Sequence, residues 1–260
     1  MILELFPRDA HNKIEYIAEL NKKIKCCNKC SLYLTRKHVL CGEGNIDSRM
    51  MLIAQAPGEK EDWAGKMFIG PSGKKFDELL LKASISRNEI YITNLIKCRL
   101  PKNRKPKQDE IQACSEYLDK EIALINPEVV VPLGYHATRY IFQKFAIDLN
   151  SSKVFGKFYY AQEKKIFPVQ HPAALCYGDS LLEEMTKNYK KLGVLIAECK
   201  WYSCCPLKMY YEVGKLDKKW VELYCRGDWE SYLRYHMEEK GEPHLDWMLP
   251  DGSIDESLRD

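Results

Sequence analysis

The sequence contains no run of 18 consecutive apolar residues, and residues 1–25 contain no apolar segment followed by a small-residue cleavage site. The first absence excludes a hydrophobic membrane-spanning helix, and the second argues against a secretory signal peptide. Internal repeats and low-complexity tracts are absent as well. We therefore expect a globular protein of the reducing cytoplasm that has no membrane partner and acts as a monomer.

Length and charge predict two domains of unequal size. The 260 residues are enough for one main domain with a smaller appendage. Residues 1–198 contain 31 basic and 24 acidic side chains, whereas residues 199–260 contain 9 and 13, together with 10 of the 29 aromatic residues. We place the boundary after residue 198 and expect the acidic C-terminal segment to form a small helical core. Its charge disfavours contact with a DNA backbone and favours a lid or a protein-binding role.

Cysteine is abundant, with 11 residues, and four of these form two well-separated pairs. Cys27 and Cys30 are separated by two residues, and Cys98 and Cys114 by fifteen. In a reducing compartment, clustered cysteines favour metal ligation over disulfide bonds. Four thiolates brought together by the fold are typical of an iron–sulfur cluster or of a structural zinc ion, and the spacing leaves both open.

Hydrophobic patterns predict strands that alternate with helices. Alternation of this kind predicts a parallel sheet covered by helices on both faces, with ligands at the carboxyl ends of the strands. The predicted strands are 50–54, 90–96, 129–133 and 166–170. The predicted helices are 10–24, 72–83, 108–125, 135–145 and 180–197, and Ser72 is predicted to cap the second of them.

Three segments at the predicted strand ends carry residues suited to binding a base. The loop 54–62 follows the first strand and contains a Pro-Gly turn, Phe68 lies in a glycine-flanked loop, and Asn94 ends the second strand. An aromatic ring can stack on a base, and a carboxamide matches the N3–H and O4 edge of uracil. His171, fixed by a following proline, can stabilise a negative charge on a leaving group. Each residue also has an ordinary interpretation, in the core or in a turn.

A basic run extends from Lys97 to Lys107 and includes no acidic residue. Prolines hold it extended, which suits contact with a polyanion, although such runs are often only solvated loops. Leu175 can act as a wedge that fills the space of an extruded base, with a core position as the alternative. The predicted DNA contacts are Ser72, Lys97, Arg99, Lys102, Arg104 and Leu175.

Together these residues resemble the family 4 uracil-DNA glycosylases, the iron–sulfur branch of their superfamily. The resemblance covers about residues 25–192, and the order of its motifs makes it specific. It rests on the four cysteines, Gly42-Glu43-Gly44-Asn45, Ala56-Pro57-Gly58 with Glu61-Asp62, Phe68-Ile69-Gly70, Ile92 to Arg99, Asn103-Arg104 and His171-Pro172-Ala173.

The resemblance implies a three-layer α/β/α sandwich with a four-stranded parallel sheet. It implies a [4Fe–4S] cluster on Cys27, Cys30, Cys98 and Cys114, with Cys26 as a competitor for Cys27. It also implies that Phe68 stacks on flipped uracil, that Asn94 reads its edge and that His171 stabilises the departing uracil anion. The implied reaction is monofunctional: uracil leaves the DNA and an abasic site remains.

The first loop departs from the family pattern. Ala54 and Gln55 replace the usual Gly-Glu, and Gln55 resembles the classical uracil-DNA glycosylases, in which an Asp takes the position of Ala56. We assign Gln55 and Ala56 to uracil binding and Gln55 also to catalysis. Because that water-activating Asp is missing, Glu61, or else Asp62, becomes the candidate to position water. A reaction in which the glycosidic bond breaks first needs little help from a base.

Two alternative functions stay open at this point: excision of another deaminated base such as hypoxanthine or xanthine, and binding of uracil-containing DNA without catalysis. An Arg-Arg-Ile-His segment, which marks a related covalent cross-linking branch, is absent.

The C-terminal segment lies outside the resemblance. A second metal site there is one possibility and an aromatic–cysteine core is the other. Its candidate ligands are Cys199, Cys204, Cys205, Cys225, His236 and His244.

Overall fold

The computed structural model describes residues 10–149, 153–196, 205–225 and 232–259. The chain forms two compact units that divide between Tyr189 and Lys190. The predicted boundary after residue 198 lies outside the described residues. Within them, no helix has the length and apolar character needed to cross a bilayer.

The first unit alternates helices and strands, as predicted. The predicted strand 50–54 and the predicted helix 108–125 have the observed bounds. Its elements are α1 Ala10–Lys25, β1 Glu43–Gly44, β2 Met50–Ala54, α2 Glu59–Ala64, α3 Pro71–Lys82, β3 Tyr91–Asn94, α4 Gln108–Ile125, β4 Val129–Pro132, α5 Tyr135–Lys144, β5 Tyr159–Ala161, β6 Lys164–Ile166 and α6 Leu182–Ile196, the last of which continues into the second unit.

The sheet has six strands in the order β1-β3-β2-β4-β6-β5. The four central strands are parallel, which confirms the predicted four-stranded parallel sheet. Two short antiparallel strands, β1 and β5, extend its edges. Sequence analysis missed them because two or three residues are too few to show an alternating pattern.

The last parallel strand is shorter than predicted because prolines interrupt its ladder. Regular pairing of β6 ends at Ile166, since Pro132 and Pro168 have no N–H to donate. Single hydrogen bonds nevertheless continue to its end, from Phe167 N to Val130 O at 3.0 Å and from Val169 N to the Pro132 carbonyl at 3.1 Å. The chain therefore stays against the sheet as far as the predicted ligand-binding edge.

Helix α3 begins two residues earlier than the predicted cap allows. Gly70 is the cap residue and Pro71 is the first helical residue, so the prediction that Ser72 caps this helix is wrong. Proline favours the first helical position because its fixed φ suits the helix and no N–H is needed there. Ser72 is consequently the second residue of α3, inside its first turn.

The two faces of the sheet carry different helices. The main hydrophobic cluster joins α1, α4 and α5 to alternate strand residues, among them Met51, Ile53 and Val130. Helices α3 and α6 contact each other through Phe76 and Tyr189, whose ring centroids are 6.4 Å apart. Side chains alternate along a strand, so neighbouring residues serve opposite faces. These two groups of helices fit the predicted sandwich.

The segment that follows β3 forms a buried ion pair with α4. Lys97 and Glu121 are 1% and 0% exposed and form a salt bridge, and Thr93 bonds to both side chains. Glu121 also accepts a hydrogen bond from the backbone N–H of Gly42 at 3.2 Å. Lys97 therefore cannot contact DNA, and its predicted DNA-binding role is wrong. Its charge is buried because it has a fully buried carboxylate partner.

The second unit contains short helical elements around its own core. They are α7 Pro206–Glu212, α8 Lys218–Trp220, a π-helical turn Val221–Cys225 and α9 Leu233–Lys240. Its buried residues include Leu207, Val221 and Cys225, and aromatic residues such as Trp220 and Trp247 pack against them.

Replacing Glu121 with alanine should destabilise the protein strongly. The substitution leaves the ammonium group of Lys97 buried without its counter-charge, which typically costs about 3–5 kcal/mol. Urea unfolding followed by circular dichroism measures the loss. Glu116→Ala is the matched control, because Glu116 lies on the same helix but pairs with Lys29 and Lys120 at the surface. Its loss should stay below about 1 kcal/mol, and equal losses in the two variants would contradict the assignment.

Candidate active site

A pocket opens at the carboxyl ends of the central parallel strands. It brings together Phe68, Asn94 and His171, which come from three distant parts of the sequence. Its wall consists of Ala54, Ala56, Pro57, Gly58, Glu61, Met67, Phe68, Ser72, Asn94 and His171. The predicted ligand edge of the sheet is thus a real cavity with aromatic, amide and imidazole groups in its wall.

Phe68 presents an aromatic ring from a backbone in the left-handed region, with φ at 50°. Its ring stacks on that of Phe76 at 4.3 Å between centroids, and it lies nearly parallel to the His171 imidazole at 6.0 Å. A residue other than glycine adopts this φ at a cost, so the surroundings must hold it in place.

The loop that carries Phe68 is held from two sides. Arg87 Nη2 donates to the Phe68 carbonyl at 2.8 Å, and Glu61 Oε1 accepts from the N–H groups of Ile69 at 3.0 Å and Gly70 at 2.7 Å. Gly73 makes this approach possible, because a Cβ there would lie 2.0 Å from the Phe68 oxygen. The loop is therefore fixed before any ligand binds.

Asn94 is 2% exposed and ends β3 at the pocket. Its Nδ2 donates to the Met67 sulfur at 3.1 Å. A thioether is a weak acceptor, so a carbonyl oxygen of a ligand can replace it at little cost. A carboxamide held here offers one donor and one acceptor in fixed positions.

His171 is held as a neutral imidazole. Its Nδ1 accepts a hydrogen bond from the N–H of Ala173 at 3.1 Å, and burial lowers the pKa of His171 to about 4. Because Nδ1 is an acceptor, the proton of the neutral ring lies on Nε2, which makes Nε2–H a donor. Gly134 packs against this residue so closely that a Cβ there would lie 3.1 Å from the His171 Cβ.

The remaining predicted pocket residues differ in their placement. Ala56 and Ser72 line the pocket, whereas Gln55 lies outside its described wall and is fixed through its carbonyl, which accepts from Ile96 N at 2.9 Å. Asp62 is a buried residue of α2, and its carboxylate accepts hydrogen bonds from the N–H groups of Lys37 and His38. Of the two candidate carboxylates, only that of Glu61 reaches the pocket.

The predicted DNA contacts are unequally available. Arg99 pairs with Glu59 at 3.2 Å, and Arg104 forms a two-pronged pair with the buried carboxylate of Glu110. Lys102 is exposed in the turn Pro101–Asn103. Among the predicted DNA-binding cations, Lys102 is therefore the most accessible.

Leu175 lies in the short helix Pro172–Cys176 that follows His171, and it is 4% exposed. A buried side chain cannot enter a base stack unless this turn opens, so the structure favours the core position over the wedge. Tyr177 ends the same turn and is 92% exposed. It is the exposed aromatic side chain nearest in sequence to His171.

The four predicted ligand cysteines line a second cavity, between the end of α1, the segment after β3 and the first half of α4. Arg36 Nη1 donates to the Cys98 sulfur at 3.1 Å, and the N–H of Lys97 donates to the Cys114 sulfur at 3.2 Å. Cys26 is exposed and lies outside the described wall of this cavity, whereas Cys27 belongs to it. N–H donors of this kind stabilise thiolate ligands.

The described side chains do not gather around a single metal ion. Within residues 10–149, 153–196, 205–225 and 232–259, no three His, Cys, Asp or Glu side chains lie close enough together to bind one. In the C-terminal segment, Cys199 and Cys204 lie outside the described residues. Cys225 is buried in the core of the second unit with Cys205 packed against it, which favours the aromatic–cysteine core there.

Sequence analysis missed the residues that support the pocket. Arg87, Met67 and Gly134 each fix a pocket group, although none belongs to a recognisable motif. Gly134 carried a partial signal, because a glycine directly after a buried strand suggests close approach of another segment. Arg87 carried none, since its role depends on a contact with Phe68 across the fold.

We expect the His171 imidazole to titrate near pH 4, well below the ordinary histidine pKa of 6.5. Removal from water disfavours the charged ring, so the neutral form persists throughout the neutral range. A ¹⁵N NMR titration measures this value, and the spectrum of His171→Gln identifies the resonance. A pKa near 6.5, or a proton on Nδ1 in the neutral form, would contradict the described hydrogen bond.

Comparison with known proteins gives consistent matches. The family model of the uracil DNA glycosylase superfamily matches residues 41–193. The type-4 uracil-DNA glycosylase of Sulfurisphaera tokodaii is 35% identical over 213 residues, which cover 80% of this chain and 94% of the relative. The type-4 enzyme of Saccharolobus solfataricus is 41% identical over 65% of this chain and 82% of its own length. That of Archaeoglobus fulgidus is 35% identical over 70% and 94%.

The matched region contains the whole pocket and two of the four cysteines, and the longer alignments cover most of both chains. On these grounds the chain belongs to the uracil DNA glycosylase superfamily and, within it, to the type-4 uracil-DNA glycosylases.

Proposed function

We propose that this protein is a DNA repair enzyme that flips uracil out of DNA and hydrolyses its N-glycosidic bond, leaving free uracil and an abasic site. The observation that carries the proposal is the convergence of Phe68, Asn94 and His171 on one pocket. An aromatic face, an amide and a neutral imidazole donor are the three groups that recognition and release of a flipped uracil require. Their prior fixation lowers the cost of binding.

Phe68 and Asn94 select the base. The Phe68 ring lies on Phe76, and a flipped pyrimidine stacks on the wall that these rings form. Asn94 then offers its Oδ1 to the N3–H of uracil and its Nδ2 to O4. Cytosine presents an unprotonated N3 and an amino group at these positions, so both contacts would be mismatched. The amide therefore discriminates uracil from cytosine by the direction of its dipole.

His171 acts on the leaving group. As the glycosidic bond breaks, its electron pair passes to N1 of uracil and negative charge spreads onto the carbonyl oxygens of the base. A neutral Nε2–H in a partly buried pocket stabilises that charge as a fixed donor. Because a pKa of about 4 leaves the ring neutral at neutral pH, His171 donates a hydrogen bond through Nε2–H and has no acidic proton to transfer. Charge on the base is thus stabilised most in the transition state, which is where stabilisation accelerates the reaction.

The addition of water to the sugar needs less catalytic assistance from the protein than the departure of uracil does. After the bond breaks, the sugar is an electrophilic cation that a positioned water attacks without a strong base. Glu61 is the nearest carboxylate, and its Oε1 already accepts two backbone N–H bonds. We assign Glu61 mainly to holding the Phe68 loop, with its second oxygen as the group that orients water. We retain the proposal that Gln55 contributes to uracil binding and catalysis, although it lies outside the described pocket wall.

We also propose that Cys27, Cys30, Cys98 and Cys114 hold a [4Fe–4S] cluster. Four thiols line one cavity without converging on one point, which suits a multi-atom cluster better than zinc, whose four sulfurs lie within about 4 Å of one another. The bound cluster would supply a structural tie and no step of the reaction. It joins α1, the segment after β3 and α4, so it orders the loop that follows Cys98.

Two further proposals concern assembly. The protein acts as a monomer on uracil-containing DNA, since pocket and cysteine cavity are both complete within the first unit. The second unit, with its acidic balance, is proposed to bind a protein partner or to act as a lid.

The enzyme should release uracil from single- and double-stranded oligonucleotides, and His171→Ala should lower kcat by about 10²–10³ while DNA affinity changes little. Release is measured by alkaline cleavage of the abasic product, and affinity by fluorescence anisotropy. His236→Ala, in the second unit, is the control and should leave both unchanged. Intact uracil-containing DNA after incubation with wild-type protein would refute the function. Equal losses of kcat and affinity in His171→Ala would refute only the role of His171.

Purified protein should be brown and contain about four iron and four sulfide per chain. Cys27→Ser should lose the visible absorption and most of the iron, because it removes one thiolate of the set. Cys26→Ser is a closely matched control: it removes the adjacent, exposed thiol and should keep both. One equivalent of zinc without sulfide, or loss of iron in Cys26→Ser but not in Cys27→Ser, would contradict the ligand assignment.

A further inference from the structure

A groove between α4 and α5 has no role in the function described above. Helix α5 begins directly after Gly134, the residue that packs against His171. The groove is walled by Asp119 on α4 and by His136, Arg139, Tyr140 and Lys144 on α5, with Pro106 at its rim.

The far end of the groove is electrically neutral. Asp119 accepts a hydrogen bond from the Tyr140 hydroxyl at 2.7 Å and pairs with Lys144 at 2.9 Å. This carboxylate and this ammonium group balance each other, so neither is available to a charged ligand.

The near end carries unbalanced positive charge. His136 and Arg139 line this end of the groove together with Pro106, which follows Lys105 directly in the chain. Burial, and then the charges of Lys105 and Arg139, lower the pKa of His136. Lys105 and Arg139 are exposed. Across the part of the chain that the structure describes, neither has a carboxylate within ion-pair distance. Two unpaired cations thus converge on one rim of the groove.

The position of this rim suits a nucleic acid strand that leaves the pocket. Helix α5 rises about 1.5 Å per residue, so Arg139 lies about 8 Å along the axis from Gly134. That is two to three nucleotide steps at about 3.4 Å each. The exposed Tyr135, which precedes His136 and contacts its ring edge-on at 5.4 Å, lies between the two sites. Aromatic rings in this position can stack on a base that is no longer paired.

We propose that the near end of the groove between α4 and α5 binds the phosphodiester backbone of the DNA strand that flanks the flipped uracil, through Lys105 and Arg139. The proposal rests on the proposed function for the identity of its ligand. It adds a binding surface on α5, a helix that contributes nothing to the pocket wall. The charge of the near end fits phosphate, and the neutral far end marks where the strand leaves the protein.

The test is the salt dependence of binding to a thymine-containing single strand of about fifteen nucleotides, which the enzyme cannot cleave. Arg139→Gln and Lys105→Gln should each weaken binding several-fold at low salt. Each single variant should also reduce the magnitude of the negative slope of log affinity against log salt by about 0.7, and the double variant should reduce it by about 1.4. The reason is that a protein with fewer phosphate contacts releases fewer counterions when it binds. Arg139→Lys keeps the charge and should retain the wild-type slope.

Lys82→Gln is the matched control, because it removes an exposed lysine at the far end of α3, away from the pocket. Its slope should equal that of the wild type. Wild-type slopes in Arg139→Gln and Lys105→Gln, equal losses in Lys82→Gln, or no binding by the wild type would overturn the proposal. Since the readout is binding, it fails independently of glycosylase activity, which release of uracil by the wild-type enzyme tests separately.

Discussion

The parallel pairing of β2 and β3 is the constraint on which both sites depend, and it extends beyond the strands themselves. Leu95 N donates to Ala54 O at 2.8 Å and Ile96 N to Gln55 O at 2.9 Å. These bonds fix the first residues of both loops in the register of the sheet. Because side chains alternate, Asn94 points to the pocket while Thr93 points to α4. One short segment therefore positions pocket-lining and cysteine-bearing groups on opposite faces.

Lys97 is tied to α4 through two different groups. Its ammonium group pairs with Glu121 and donates a hydrogen bond to the Thr93 hydroxyl, and its backbone N–H donates to the Cys114 sulfur. The buried carboxylate also accepts a hydrogen bond from Gly42, in the segment before β1. A buried ion pair of this kind adds little net stability compared with a hydrophobic pair, but it strongly penalises any arrangement in which one partner is lost. It therefore specifies the path of the chain between the pocket and the cysteine cavity.

Much of this architecture is predictable from the sequence, and the exceptions have a common cause. Strand 50–54, helix 108–125 and the grouping of Phe68, Asn94 and His171 follow from local patterns and from the geometry of parallel sheets. For Lys97, Ser72 and Leu175, the sequence offers only composition and motif position. Their true environments depend on partners distant in sequence, or on a proline that moves the start of a helix by two residues. Arg87 shows the same limit, because nothing near it indicates that it holds the Phe68 carbonyl.

The basic run 97–107 illustrates why the sequence alone does not identify the exposed cations. The run 97–107 contains six basic residues, and sequence analysis treats them alike. In the fold, Lys97 is buried with Glu121, and Arg99 and Arg104 are paired with carboxylates. The cations that remain exposed are Lys102, Lys105 and Lys107. A paired surface cation attracts phosphate less than an unpaired one, because its own carboxylate repels the ligand and must be displaced. The positive charge that is accessible to a polyanion is therefore determined by ion pairs between distant parts of the fold. Arg139, which is 34 residues from Lys105 in sequence, adds to this accessible charge because it has no carboxylate partner among the described residues.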